Sequence, residues 1–336
     1  MATTSASYFS AAFVFLVALN FLSFQVMAAS GHAPNDSDYL GFMLNLEYLD
    51  GEFYSYGVFG NDLDSISPNL SQGGPRPIGG QKANLDPLVS EIIKEFAYEQ
   101  VGHIRAITQA TGGFPRPLIN FSRALFSLLV DLAVGYPLLP PFDPYANTVN
   151  YLIAAQALNY DGVVGYVYIN ANLNTDAANR LGASLLGMKA GQNAVVRALL
   201  YERANQTVAP YNLTVADIVS RIAEFGNKVT RGGLEEGIIV PITLGAENRT
   251  VTNVLSAILS IPITVGDENR TVTNVLSADV NSLVHARTPC EILRILYGTG
   301  YEGLYGGFFP KEQMAKLQRS ALSLLEIPIS KSTLSL

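Results

Sequence analysis

Several features that define common protein classes are missing from this chain of 336 residues. It has one cysteine, Cys290, so neither a disulfide framework nor a cysteine-based zinc site can form within one chain. Charged residues make up only 15% of the chain, the net charge is −7, and no cluster of lysine and arginine exceeds a dipeptide. These features argue against a nucleic-acid-binding protein. No nucleophile–base pattern, phosphate loop or dinucleotide fingerprint stands out, whereas a hydrophobic content of 49% predicts a sizeable folded core.

The N-terminal segment 1–29 is typical of a secretory signal peptide. Its apolar run from Ala11 to Val26 is short for a membrane span, which needs about 20 residues, and it ends in a small-residue cleavage pattern. No later segment is both long and uncharged enough to span a membrane. We therefore predict a protein that is secreted to the extracellular space or apoplast, or retained in the secretory pathway, without membrane contact after signal removal.

Seven Asn-x-Ser/Thr sequences follow this segment and are candidate glycosylation sites in a secreted protein. Each motif is short, and chance alone produces a few. The candidate residues are Asn35, Asn69, Asn120, Asn205, Asn212, Asn248 and Asn269.

Four long segments carry helix signals at their ends, and no convincing strand pattern lies between them. The second and third segments both open with Asp-Pro, at 86–87 and 143–144, which combines an N-cap with proline at the first helical position. An all-α four-helix bundle over 36–206 is the predicted fold. The predicted helices run from about 36 to 59, 87 to 112, 144 to 170 and 175 to 205.

The remainder is predicted to form an extension packed on the bundle, 207–311, and a C-terminal tail, 312–336. Capping boxes that begin at Thr214 and Thr288 predict two shorter helices in the extension. The segment 241–257 recurs as 262–278 with two differences. Since a solenoid needs at least about 3 repeats, we interpret the pair as a local duplication or a gene-prediction artefact, with one copy in the native position.

Each of the four predicted helices places a polar residue in the middle of its apolar face. Buried polar groups cost free energy unless they are hydrogen-bonded, so four such coincidences predict one shared polar cluster in the bundle centre. The predicted cluster comprises Glu47, Gln100, His103, Gln156, Lys189 and Gln192.

Long motifs spread along the chain identify a family. They are LNLEYLDGEFY (44–54), EFAYEQVGHIRAI (95–107), GGFPRP (112–117), PPFDPYANTVNYL (140–152), GYVYINANL (165–173), LLGMKAGQNAVVRALLYE (185–202), RTPCEILRILYGTG (287–300) and GGFFPK (306–311). With these motifs, in this order, the chain resembles the plant desiccation-related proteins of the ferritin-like superfamily. The resemblance covers roughly 36–311 and implies a ferritin-like bundle with a role in the stress response.

The resemblance also implies where a di-iron site would lie. Ferritin-like di-iron proteins use one glutamate from each of two helices and a Glu-x-x-His pair from each of the other two. The corresponding positions here carry Glu47, Gln100, His103, Gln156, Lys189 and Gln192. Only Glu47 and His103 keep a ligand type, while a further carboxylate, Glu99, precedes the second helix's pair by one residue.

These departures predict a metal-free centre in which Lys189 replaces the metal. Amides are weak neutral ligands and an ammonium group cannot ligate, so we expect Lys189 to lie near Glu47 and Glu99. The leading hypothesis is a secreted protein without catalytic activity or cofactor that has a structural or protective role.

Two alternatives stay open, and the oligomeric state is not predicted. Glu47, Glu99 and His103 could together hold one iron or manganese ion in a residual metalloprotein or oxidase. The aromatic loops 136–144 and 301–309 could instead bind cell-wall glycans or small molecules.

Overall fold

The computed structural model describes residues 34–232, 235–238, 275–278 and 283–311. Over these residues the chain forms seven α-helices and no strand, in agreement with the predicted all-α class. The helices are α1 Asp36–Phe59, α2 Pro87–Thr111, α3 Arg123–Val134, α4 Thr148–Asn170, α5 Asp176–Glu202, α6 Val215–Thr230 and α7 Pro289–Tyr297. The predicted signal peptide, the tail 312–336 and most of the duplicated segment lie outside the described residues.

The four long helices α1, α2, α4 and α5 form the predicted bundle. Helix α1 packs along α2, α4 packs along α5, and α1 also faces α4 across the centre. Every residue of α1 from 39 to 58 is buried, and α4 is buried along nearly its whole length. Helices α6 and α7 pack against α4, and α3 packs against α6. Together α1 and α4 therefore form the inner wall on which the candidate site lies.

Side-chain caps fix where the helices begin. Asp86 accepts a hydrogen bond from Val89 N and starts α2 at Pro87, as predicted. The third bundle helix was predicted from Pro144 but begins at Thr148. The carboxylate of Asp143 caps a local turn through Tyr145 N at 2.9 Å, and Asn147 supplies the helix cap instead. The 12-residue helix α3 was not predicted at all.

A buried arginine ties two loops to the bundle. Arg116 is fully buried, donates to the carboxylate of Glu52 on α1, and donates to Pro75 O at 3.0 Å. Gly74 lies so close to Arg116 that a Cβ atom there would come within 2.3 Å of its carbonyl oxygen. Burial raises the pKa of Glu52 to about 7, although Arg116 and hydrogen bonds oppose that rise.

The extension contacts α4 and α5 through a few buried polar groups. The end of the second repeat copy lies in the described part, where Ser277 is buried and accepts from Tyr160 OH at 2.9 Å. Arg197 on α5 donates to Val275 O. The first copy, 241–257, lies outside the described residues. None of the helices the structure describes combines the length and apolarity needed to cross a membrane.

Candidate functional site

An ammonium group lies between two carboxyl groups at the centre of the bundle. Lys189 Nζ on α5 is 2.6 Å from Asp50 Oδ2 and 3.0 Å from Glu47 Oε2, both on α1. The exposed fraction is 0% for Lys189 and Glu47 and 1% for Asp50. Glu47 and Asp50 share one face of α1 because residues three apart in a helix are neighbours. The three groups therefore form a charge cluster that is closed to solvent.

Three further groups bond the Glu47 carboxylate. His103 Nδ1 on α2 lies 3.2 Å from Glu47 Oε2, and the hydroxyl of Tyr166 on α4 donates to Oε1. The Gln100 amide lies between Glu47 and Lys189. Since an ammonium only donates and a carboxylate only accepts, the amide oxygen faces Lys189 Nζ at 2.9 Å and the nitrogen faces Glu47.

A chain of amide side chains surrounds this charge cluster. Gln192 lies 3.2 Å from the Gln100 amide and donates through Nε2 to Glu99 Oε2 at 2.7 Å. Gln156 accepts from Asn193 Nδ2 at 3.2 Å. The structure thus joins Glu47, Gln100, His103 and Lys189 by hydrogen bonds, while Gln192 lies beside Gln100 and bonds Glu99, and Gln156 bonds Asn193.

Two of the strongest contacts in the cluster were not found from the sequence. Lys189 was expected beside Glu99, but Glu99 bonds Gln192 and Asp50 takes the place beside the ammonium. Asp50 lies three residues after Glu47, which places both on one face of α1 but does not by itself show that this face points to the bundle centre. Tyr166 gave no signal, because an aromatic residue on an apolar helix face usually belongs to the core.

Burial and charge act in opposite directions on the pKa values of the cluster. Burial raises the pKa of Glu47, but Lys189 and His103 outweigh that effect and lower it to about 2. Burial raises the pKa of Asp50, and Lys189 only partly offsets the rise. Burial lowers the pKa of Lys189, yet Asp50 and Glu47 bring it above its ordinary value. These shifts favour an ammonium and an ionised Glu47, and burial makes Asp50 easier to protonate than an ordinary aspartate.

The predicted metal ligands are only partly together. Glu47 and His103 are in contact, whereas Glu99 is hydrogen-bonded to Gln192 at the partly exposed edge of the network. Within the described ranges, no group of three or more His, Cys, Asp or Glu residues is suited to hold a metal ion.

Three buried polar atoms beside the cluster have no hydrogen-bond partner in the part of the chain that the structure describes. They are Asp50 Oδ1, Tyr54 OH and Asn159 Oδ1. Tyr54 follows Asp50 by about one helical turn. Burial is the main cause of the strongly raised pKa of Tyr54, and the charge of Asp50 raises it further. These three polar groups lie side by side, because Asn159 is close to both Asp50 and Tyr54.

The two aromatic loops and the predicted glycosylation sites are only partly exposed to solvent. In the two aromatic loops, Tyr136 and Tyr301 are exposed, whereas Phe142, Phe308 and Phe309 belong to the core. The predicted glycosylation sites Asn35, Asn69, Asn205 and Asn212 are exposed, Asn120 is half-buried, and Asn248 and Asn269 lie outside the described residues.

Comparison with known proteins matches the bundle to a family. Residues 35–202 match the ferritin-like domain. The chain belongs to the ferritin-like family. This ferritin-like chain is 45% identical to the ferritin-like catalase Nec2 of Nesocodon mauritianus, over 88% of this chain and 89% of that protein. It is 41% identical to the desiccation-related protein PCC13-62 of Craterostigma plantagineum, over 84% of each chain. No solved structure matches. The resemblance to plant desiccation-related proteins is confirmed.

Proposed function

We propose that this ferritin-like chain is a secreted, metal-free protein with a structural or protective role under water stress. The observation that carries the proposal is the position of Lys189, whose ammonium bonds Asp50 and Glu47 at 2.6 and 3.0 Å. A positive side chain there neutralises carboxylates that a metal ion neutralises in ferritin-like metalloproteins. The kinship with a desiccation-related protein supports the role.

The donor set does not fit the di-iron centre that the fold family implies. Both oxygens of Glu47 are already engaged, Oε1 by Tyr166 and Oε2 by His103 and Lys189. An ammonium has no lone pair to donate and repels a cation at close range. Gln100 and Gln192 offer amides, which bind transition metals more weakly than carboxylate or imidazole.

Metal analysis of the full-length protein tests the metal-free state. Protein purified without chelators should contain far less than one equivalent of iron, manganese or zinc per chain by element-specific mass spectrometry. Incubation with a chelator should leave its melting temperature unchanged, because the chain itself supplies the balancing charge. Near-stoichiometric metal together with a melting temperature that falls on chelation would refute the proposal.

A drying assay tests the protective role. The full-length protein should preserve the activity of a dehydration-sensitive enzyme through drying and rehydration better than an equal mass of serum albumin. The Lys189→Met variant, with its core weakened, should protect less at temperatures above its own melting point. Equal recovery with albumin would contradict a specific protective role.

Secretion has its own support and test. The predicted signal peptide precedes four exposed sequons on the bundle and its extension, at Asn35, Asn69, Asn205 and Asn212. Expressed in plant cells, the chain should appear in the apoplastic fluid and gain mobility on a gel after enzymatic removal of N-glycans. An intracellular, unglycosylated product would contradict this part of the proposal.

Breakdown of hydrogen peroxide is the second candidate function. It is favoured by the 45% identity to a protein named as a ferritin-like catalase. His103 also links Glu47 to the surface, because its side chain remains 11% exposed. Oxygen release from peroxide, measured with and without added iron or manganese, separates the two functions. We expect no release above that of a His103→Asn variant, and release that this variant abolishes would favour the second candidate.

A further inference from the structure

Three groups that can react with one another meet in the closed centre of the bundle. Lys189 Nζ is 2.6 Å from Asp50 Oδ2, and Glu47 Oε2 lies 3.0 Å from the same nitrogen. All three side chains are shielded from bulk water. An ammonium held against one carboxyl group, with a second carboxylate within reach of its proton, meets the positional requirements for condensation to an amide.

We propose that Lys189 and Asp50 condense into an isopeptide bond that joins α5 to α1, with Glu47 as the proton acceptor. The inference rests on the proposed function in one respect, namely that Lys189 rather than a metal occupies the centre. The bond would connect residues 139 positions apart. A cross-link of that span restricts the unfolded chain, as a disulfide does.

The reaction balances within the three side chains. The Lys189 ammonium transfers one proton to the Glu47 carboxylate and becomes a neutral amine. Its nitrogen forms a bond to the carbonyl carbon of the protonated Asp50 carboxyl group. The carbon–oxygen bond to the Asp50 hydroxyl then breaks, and that hydroxyl leaves as water with a second proton from the nitrogen. The third proton stays on the new amide, so no oxidant, reductant or co-reactant is needed.

Loss of water favours this product by mass action, because water is the only by-product. Asp50 Oδ1, Tyr54 OH and Asn159 Oδ1 are buried and unpartnered among the described residues, so they supply hydrogen-bonding groups for the released molecule. The geometry therefore couples drying to a covalent lock between two bundle helices. Because an amide hydrolyses slowly, the lock would persist after rehydration.

Peptide mapping of the full-length protein tests the proposal. Protein purified from a plant host is divided into a hydrated sample and a dried, rehydrated one; both are denatured, digested with pepsin and analysed by mass spectrometry. We expect a branched peptide that contains Asp50 and Lys189 and is one water molecule lighter than the two linear peptides together. Its fraction should increase on drying.

Three variants assign the chemistry. Lys189→Arg keeps the positive charge but lacks the amine, and Glu47→Gln lacks the proton acceptor, so both should yield only linear peptides. Glu52→Gln is the matched control. Glu52 is another buried glutamate of α1, but it bonds Arg116 rather than Lys189, so its variant should form the branched peptide as the native protein does.

Each outcome is decisive for one proposal or the other. Only linear peptides in both native samples would overturn the isopeptide bond, and undiminished branching in Glu47→Gln would overturn the role of Glu47. Neither result would affect the metal-free proposal, which fails if the protein holds near-stoichiometric metal and its melting temperature falls on chelation.

Discussion

Replacing Lys189 with methionine removes the positive charge at the bundle centre while keeping a side chain of similar length. The carboxyl groups of Glu47 and Asp50 then lose the ammonium that lies 3.0 and 2.6 Å away. Lys189→Arg is the matched control, because it keeps the charge and also lacks the amine that an isopeptide bond requires. Arginine is bulkier than lysine in this buried site, so any strain that it adds makes the difference between the two variants a lower limit for the effect of the charge.

The size of the effect follows from burial. Removing one partner of a buried ion pair typically costs about 3–5 kcal/mol, because the remaining charge is left uncompensated. Asp50 can stay neutral since burial raises its pKa, so Glu47 carries most of this penalty. A change of 1 kcal/mol shifts Tm by about 2–4 °C in domains of roughly this size, so Lys189→Met should melt on the order of 10 °C below Lys189→Arg at neutral pH.

The pH dependence of the melting temperature gives a second, independent test of the charge pair. In the native protein the pKa of Glu47 is lowered from 4.5 to about 2, so its stabilisation is present above pH 4.5 and is lost as the pH falls towards 2. Lys189→Arg should behave in the same way. In Lys189→Met only His103 and Tyr166 still oppose burial, so the pKa of Glu47 rises from its low native value and the stabilisation above pH 4.5 is diminished.

The difference in Tm between the two variants should therefore be largest at neutral pH and should shrink as the pH falls below about 4.5. Thermal unfolding followed by circular dichroism across this range measures it directly. Equal melting temperatures at neutral pH, or a difference that stays constant at lower pH, would refute a buried charge pair at Glu47.

Three further predictions concern the supporting structure. Arg116→Met should lower the free energy of unfolding in urea by about 3 kcal/mol, because Glu52 stays buried without its partner; an unchanged midpoint would contradict this. Gly74→Ala should destabilise by about 1–3 kcal/mol, since its Cβ would overlap the backbone of Arg116, whereas Gly187→Ala, at an open helical position, should stabilise by up to about 1 kcal/mol. Burial raises the pKa of Cys290 to about 12, so iodoacetamide should label it far more slowly in native protein than in urea; similar rates would show that the thiol is accessible.

The long helices were predictable because caps and periodicity agreed at their ends. Asp86 followed by proline marked the start of α2 correctly, but the same dipeptide at Asp143 did not mark the start of α4, where the carboxylate caps a turn instead. Helix α3 was missed because 12 residues between proline-rich loops give a weak periodic signal. A capping residue thus predicts the start of a helix well only where no competing turn uses the same side chain.

The site was predictable where a polar residue interrupts a one-sided apolar face. Lys189 and Gln192 stood out on α5, which has an exposed side. Asp50 did not stand out, because α1 is buried on all sides and its periodicity cannot show which polar residues point towards the centre. Which polar residues of α1 point towards the centre depends on how the helices pair, and a single sequence does not show that pairing.

Stability alone does not explain a charged centre in this bundle. Replacing a buried ion pair with well-packed apolar residues is often neutral or stabilising, so a metal-free bundle could fill its centre with leucine or methionine. The chain instead places an ammonium against one carboxyl group and a second carboxylate 3.0 Å from the same nitrogen, with unpartnered polar atoms on Asp50, Tyr54 and Asn159. The proposed condensation would use the amine and both carboxyl groups, an arrangement that stability alone does not require.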